Sequence, residues 1–370
     1  MAEFGARVCV VGGGPAGLAA AIALAREGCR VTVADCARPP IDKSCGEGLM
    51  PDSIAALRTL GVELPQELGC AFDGIRFTDG RSSIYSRFPN GKGRGVRRTG
   101  LHGLLVRQAE KEQVSLVWGA KQVALEERGV LLNGQLLRAD FVIGADGQNS
   151  RIRAQAGLSR AFRERRRYGF RRHYRIAPWA PCVELHWTPN CQVYITPVAR
   201  EEVCVALIAS DSGLRLEGAL GSFPELRERL GAARAVSPER GAVTVSRKLC
   251  RVQTERVALV GDASGSVDAI TGQGMCLGFE QALALAAAVR QGRLDAYQAA
   301  HAALMRRPQW MGSVLLTLAR HDGLRRRALA GLARRPELFE SLVAMHVGAS
   351  PFQGLCSWGL VEFGIGFLAA

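Results

Sequence analysis

Six residues constrain the fold more than any other feature: Gly12-Gly13-Gly14-Pro15-Ala16-Gly17. The run follows a strand-like stretch, RVCVVGG, and opens an alanine-rich one, AGLAAAIALAREG. A second strand-like segment, RVTVAD, comes next. That order predicts a parallel β-α-β unit. Gly12 permits the tight turn, and Gly14 lets the backbone approach a pyrophosphate. Gly17 lets helix and strand pack closely, while Pro15 and Ala16 open the helix whose N-terminus faces the phosphate charge. Asp35 ends the second strand 18 residues after Gly17, where an acid can hold adenosine ribose hydroxyls. With strand, helix and acid in place, the turn points to a bound dinucleotide.

The same glycines argue against a secretory leader, because they break the first apolar run and no basic segment precedes it. No apolar run is long enough for a membrane span; the tail of residues 354–370 comes closest, but it is short and carries Glu362. The eleven cysteines are odd in number and never spaced C-x-x-C. That argues against a disulfide framework or a zinc site and for a reducing cytoplasm, so no metal and a cytoplasmic location are expected. The net charge of +14 comes mostly from arginine. Two arginine-rich clusters, residues 160–175 and 320–335, sit in no nucleic-acid-binding module, so no nucleic-acid partner is expected.

Along the chain, residues 99–113 predict an amphipathic helix with Leu101, Leu104, Leu105 and Ala109 on one face. Short strands follow, and Asn133-Gly134 signals a hairpin. Residues 166–250 alternate polar and apolar side chains, as an antiparallel sheet covering a cavity would. A strand, RVALVGDAS, and a helix from about Met275 to Arg290 return to the first unit. The fold expected is therefore α/β (α+β overall): a Rossmann-like nucleotide-binding domain, an inserted antiparallel β-sheet domain and a helical C-terminus. The first is discontinuous, over 1–75, 96–157 and 250–295. The sheet takes 76–95 and 158–249, and the helical region 296–370.

Two further motifs specify the dinucleotide. GADGQNSRIR, residues 144–153, follows a strand. A segment from Val260 to Gly274, beginning VGDASG and ending GQG, follows another and opens a helix. A second acid at a strand end can hold a ribityl chain. A helix N-terminus near Gly272, Gly274 and Met275 can stabilise negative charge on a reduced isoalloxazine. In this order the three motifs resemble the flavin-dependent aromatic hydroxylases, flavin halogenases and geranylgeranyl reductases that share the p-hydroxybenzoate hydroxylase fold. The resemblance covers roughly residues 5–300. It implies that Gly12, Gly14, Gly17 and Asp35 hold the ADP part of FAD and that Arg98, in RTGL, lies against the pyrophosphate. It further implies that Asp146 and Gly147 contact FAD and NAD(P)H, and that Asp262 binds the ribityl chain.

The branch is narrowed by smaller signals. Gly265 and Ala269 stand where many hydroxylases carry His and Pro, and the W-x-W-x-I-P motif of tryptophan halogenases is absent. KSCGEGLMP, from Lys43 to Pro51, is similar to the K-x-C-G-G motif of geranylgeranyl reductases, which makes Cys45 and Gly46 a wall of the flavin site. YITP, residues 194–197, lacks two aromatics of their Y-x-W-x-F-P motif. The segments SCGEGLMP, Tyr168 to Arg175, Pro178-Trp179, Val183 to Trp187 and Val193 to Val198 resemble bacterial flavoprotein hydroxylases found alongside type III polyketide synthases.

The resemblance thus implies an NAD(P)H-dependent monooxygenase that hydroxylates a lipophilic aromatic compound through a flavin C4a-hydroperoxide. FAD would be resident, NADPH or NADH a transient reductant and molecular oxygen a co-substrate. The alternative is an ene-reductase saturating an isoprenoid chain; a halogenase or a non-catalytic flavoprotein ranks below. His173, His186 and Tyr194 are the general-base candidates, Cys45 a further candidate catalytic residue, and Arg172 or Arg175 could hold a phenolate. Strand alternation puts Arg171, His173 and Arg175 on one face and Arg172 and Tyr174 on the other. The basic C-terminal helices could make weak peripheral contact with the inner face of the membrane, but residues 325–327 are contiguous and do not form one helical face. A monomer or homodimer is expected.

Overall fold

The computed structural model describes residues 5–121 and 123–351; the apolar tail of residues 354–370 lies outside them. The first layer is a five-stranded sheet in the order Val257–Leu259, Phe141–Gly144, Arg7–Val11, Arg30–Asp35, Ser115–Trp118, with every pairing parallel. Parallel strands need crossovers on the sheet faces, and both faces are then buried. The strand Arg7–Val11 accordingly has four buried residues in a row.

The crossover helix Pro15–Arg26 carries Pro at its start and alanine at six positions. Its small side chains let it lie close to the helix Gly274–Arg290, where a Cβ at Gly278 would come within 3.0 Å of the Ala16 methyl. The predicted amphipathic helix spans Arg98–Lys111 and buries Leu101, Leu105 and Ala109. The hairpin turn forms at Asn133 and Gly134, both with positive φ, in a three-stranded meander from Val123 to Arg138.

An eight-stranded sheet forms the second layer. Its strands include Ala161–Arg175, Cys182–Trp187, Cys191–Ala199, Glu202–Ala209 and Arg240–Leu249, paired antiparallel as alternation predicts. The short strand Arg234–Ala235 and two earlier strands, Gly74–Thr78 and Ser83–Arg87, complete it, and Gly74–Thr78 joins Cys182–Trp187 in parallel. The chain leaves the sheet after Arg87 and builds much of the first layer before returning, which makes a parallel junction possible.

One sheet face packs on the helices Leu216–Leu220 and Pro224–Gly231. The other is roofed by the C-terminal helices Leu294–Arg320, Asp322–Arg334 and Pro336–His346, with Met311 and Leu315 in one apolar cluster with Trp187 and Tyr194. In the arginine cluster, Arg325 turns inward to Asp322 and is 2% exposed, whereas Arg326 and Arg327 face solvent. Among the described residues no helix is long and apolar enough to cross a membrane, and all ten cysteines are free thiols.

Candidate functional site

A cavity of about 780 Å³ runs between the two layers and the helical roof. It is lined by segments far apart in sequence: the glycine turn, the 41–50 loop, Arg98, residues 145–149, the 261–275 segment and the inner sheet face. Gly12, Gly14, Pro15, Ala16, Asp35, Cys45, Gly46, Arg98, Asp146, Gly147, Asp262, Gly272, Gly274 and Met275 all come to this one cavity. Gly17 does not line it.

The glycines divide into two kinds. At Gly17 a Cβ would fall 1.8 Å from the Gly12 carbonyl oxygen, so this glycine serves the fold of the turn. At Gly14, Gly46 and Gly274 a Cβ would meet nothing within 4 Å. Their missing side chains leave a cradle of exposed backbone. Gly14 is also the N-cap of the Pro15–Arg26 helix and no side chain caps it, so free N–H groups point at the cavity.

Around this cradle the polar groups are ordered. The Asp35 carboxylate accepts from Gly13 N–H at 2.6 Å and from Ala37 N–H at 2.7 Å, which fixes it at the end of its strand. His102, buried, bonds the Gly13 carbonyl through Nε2 at 2.9 Å, and burial lowers its pKa; it is a neutral donor that ties the turn to the Arg98–Lys111 helix. Arg98 lines the cavity half-buried, and among the described residues no protein acceptor pairs with its side chain. A half-buried guanidinium without an acid calls for an external anion.

On the opposite side, Asp262 meets Lys43 at 2.9 Å, joining the 41–50 loop to the 261–264 turn. Gln281 steadies that turn by accepting from Gly261 N–H at 2.7 Å. The Asp146 carboxylate acts close to its own position in the chain. It accepts from the Ser150 hydroxyl and from the N–H groups of Arg151 and Ile152 and caps the helix Arg151–Gln155. Arg153, buried, donates to the carbonyls of Ala263 and Gln148 and so holds the second and third motifs together.

The catalytic candidates fare differently. Tyr194 lines the cavity, but its hydroxyl donates to the Ile270 carbonyl at 2.7 Å, and burial pushes the phenol far up; it is a fixed neutral donor rather than a base. His186 turns away. It bonds Glu184 at 3.3 Å and meets Phe223 edge-on, while the next residue, Trp187, lines the cavity. Strand alternation makes the two exclusive.

His173 is 1% exposed and shares a face with Gly169, which lines the cavity, but it lies farther along the strand, behind the 41–47 loop. Its Nε2 is 2.6 Å from Glu47. Neither histidine lines the large cavity. Nor do Arg172 and Arg175: Arg175 is exposed, and Arg172 points to the face opposite Arg171 and His173.

Two buried features escaped the sequence reading. Arg167 and Asp268 form an ion pair at 3.0 Å beside Tyr194, both under 5% exposed. Glu47 is 1% exposed with φ 59°, a region that favours glycine. The K-x-C-G-G motif has glycine at this position, so a carboxylate held there was the available signal.

Residues 5–210 match the model of a family described as FAD binding domain, more than half of the chain. The chain belongs to that family. The free guanidinium and the glycine cradle fit the diphosphate that FAD would bring. Relatives include both monooxygenases and reductases, and membership makes the chain an FAD-dependent enzyme of the monooxygenase and oxidoreductase class. It is 36% identical over 169 residues to the 6-methylpretetramide 4-monooxygenase of Streptomyces rimosus, a match covering 41% of this chain and only 40% of that protein. It is 28% identical over 357 residues to the menaquinone reductase of Mycolicibacterium smegmatis, covering 85% of each. A flavoprotein/dehydrogenase from Cytophaga hutchinsonii has the same fold, with a TM-score of 0.79, 18% identity and 93% of each chain covered.

Proposed function

We propose that the chain is an NAD(P)H-dependent monooxygenase that hydroxylates a lipophilic aromatic substrate. One observation carries the substrate class. Beyond the glycine cradle the cavity continues as an apolar arm between sheet and roof, walled by residues such as Phe77, Trp187, Leu315, Leu332, Phe339 and Val343. Sites for lipophilic ligands combine such walls with few polar groups.

In this reading Gly14, the helix N-terminus at Pro15 and Arg98 bind the FAD diphosphate. Asp35 holds the adenosine ribose and Asp262 the ribityl chain. The N-terminus of the Gly274–Arg290 helix, with Gly272 and Met275, and the Cys45-Gly46 backbone border the ring. Bound FAD supplies hydride acceptance from the reduced nicotinamide and, once reduced, activation of oxygen. The protein's part is to orient and to exclude water. Trp187 and the roof helices keep the arm dry, which favours an aromatic ring over a charged solute. Tyr194, held by Ile270, stays protonated and presents its ring to the arm.

The same arm suits a long unsaturated chain, and similarity to a menaquinone reductase over 85% of both chains favours a second reading, flavin-driven reduction of a carbon–carbon double bond. The two separate in one experiment. Purified holoenzyme is given NADH or NADPH with phenolic lipids and with prenyl compounds, in air and under argon. Substrate-stimulated oxygen uptake supports hydroxylation. Product formed only from prenyl compounds, and under argon, replaces it with reduction.

A further inference from the structure

We propose that Glu47 and His173 form a proton relay that connects solvent to the cofactor cavity. Glu47 is the one described residue that lines both the large cavity and a second cavity of about 240 Å³ behind the 41–47 loop. Its φ of 59° costs about 1–2 kcal/mol for a residue with a Cβ. A glycine would avoid that cost but would carry no carboxylate. The carboxylate accepts from Arg98 N–H at 2.9 Å and bonds His173 Nε2 at 2.6 Å.

The direction of the chain of bonds follows from donor chemistry. His173 Nδ1 lies 3.1 Å from the Arg171 guanidinium and 2.8 Å from the Ser237 hydroxyl. A guanidinium only donates, so Nδ1 bears the lone pair and Nε2 bears the proton that points at Glu47. Ser237 donates to Nδ1 from the second cavity. At the cavity mouth Asp42 meets Arg240 at 3.1 Å, and the Arg240 side chain is 48% exposed.

Other uses of this cluster fit less well. Arg171 is paired with Asp42 at 2.6 Å and Arg97 with Glu202 at 2.6 Å, so the arginines around the cavity already have carboxylates and leave no anion site. Glu47, His173 and Cys204 lie within 4.8 Å of one another, but the Arg171 charge on His173 opposes a cation. A polar cavity of this size has room for water, and water is what a relay needs at its outer end.

The chemistry requires a proton. Hydroxylation converts R–H, O2, NAD(P)H and H⁺ to R–OH, H2O and NAD(P)⁺. Double-bond reduction likewise consumes one NAD(P)H and one H⁺. The Ser237 hydroxyl proton passes to Nδ1 as the Nε2 proton passes to Glu47. Water restores the proton on Ser237, and the Glu47 carboxylic acid delivers its proton into the large cavity. This leaves the ring protonated on Nδ1, against the Arg171 donor; reorientation of the imidazole with proton exchange against water in the second cavity restores the Nε2–H form.

The relay rests on the chain being an FAD oxidoreductase, and its test needs neither NAD(P)H nor substrate. Holoenzyme is reduced anaerobically with reduced methyl viologen, which gives electrons and no protons, in weak buffer containing a pH indicator. Flavin bleaching and proton uptake are followed together. In the wild type they coincide. Glu47→Gln and His173→Ala are expected to keep FAD and to delay proton uptake at least about tenfold. Added imidazole is expected to restore uptake in His173→Ala alone, because only that variant has room for it. Uptake at the wild-type rate in both variants, or a His173→Ala delay that imidazole leaves unchanged, overturns the relay. If Glu47→Gln loses FAD, the imidazole arm decides. Failure of the proposed function has another signature: no NAD(P)H oxidation with any substrate while proton uptake behaves as described.

Discussion

Replacing Gly14 and Gly17 by alanine, two changes in one turn, is predicted to give opposite results. At Gly17 the new Cβ would sit 1.8 Å from the Gly12 carbonyl oxygen and 3.0 Å from the Ala145 methyl. Backbone on that side cannot yield without opening the turn. Overpacking of this kind costs about 1–3 kcal/mol or more, enough to lower the melting temperature by several degrees with or without FAD. At Gly14 the Cβ meets no protein atom within 4 Å, and φ −70°, ψ 175° suits alanine. The unfolded chain loses freedom, so the FAD-free protein should gain about 0.4–1 kcal/mol.

The methyl of Gly14→Ala instead fills the cradle. Loss of one charge-assisted bond to phosphate is worth about 1.5–3 kcal/mol, or ~10–100-fold in FAD affinity. The assay is a thermal melt with and without added FAD, paired with fluorescence titration of the FAD-free protein. Gly14→Ala should melt higher than wild type when FAD-free and gain less on FAD addition. Wild-type FAD affinity in Gly14→Ala, or a Gly17→Ala protein as stable as wild type, would refute the assignment of one glycine to ligand and the other to fold.

Three further outcomes are expected. Arg98→Gln should weaken FAD about 10–100-fold by titration with little change in the melting temperature of the FAD-free protein, because no acid depends on Arg98. Leu315→Trp, in the apolar arm, should shorten the longest alkyl chain accepted while FAD content stays normal, read from turnover across a chain-length series. His301 is 6% exposed on Ser264, and burial lowers its pKa to about 4 from 6.5. Between those values the unfolded chain holds a proton that the folded chain does not, so folding stability falls as pH drops through 6.5 towards 4. The loss is about 3 kcal/mol at pH 4, and denaturant melts of His301→Gln should show a shallower decline.

The parts of the site legible in the sequence were those fixed by local spacing. Gly12, Gly14 and Asp35 lie within one β-α-β unit, whose geometry is set by a strand, a turn and a helix. The hairpin at Asn133-Gly134 and the helix over residues 98–111 are local in the same sense. Alternation put Arg171 and His173 on one face and Arg172 on the other, as the structure has them. It could not say how far along the strand the cavity ends, and that distance removed His173 from the large cavity. For His186, alternation was informative only once Trp187 was known to face inward. Contacts across large separations were invisible. Glu47 and His173 are 126 residues apart, and the parallel junction of Gly74–Thr78 with Cys182–Trp187 was hidden for the same reason.

The proposal as a whole is tested most directly by the fate of oxygen. Purified holoenzyme is supplied with NADH or NADPH, a phenolic lipid and ¹⁸O2, and the product is analysed by mass spectrometry. The account predicts one ¹⁸O atom in the product for each NAD(P)H oxidised in the coupled reaction. A product that gains two hydrogens, carries no ¹⁸O and forms equally under argon would contradict it.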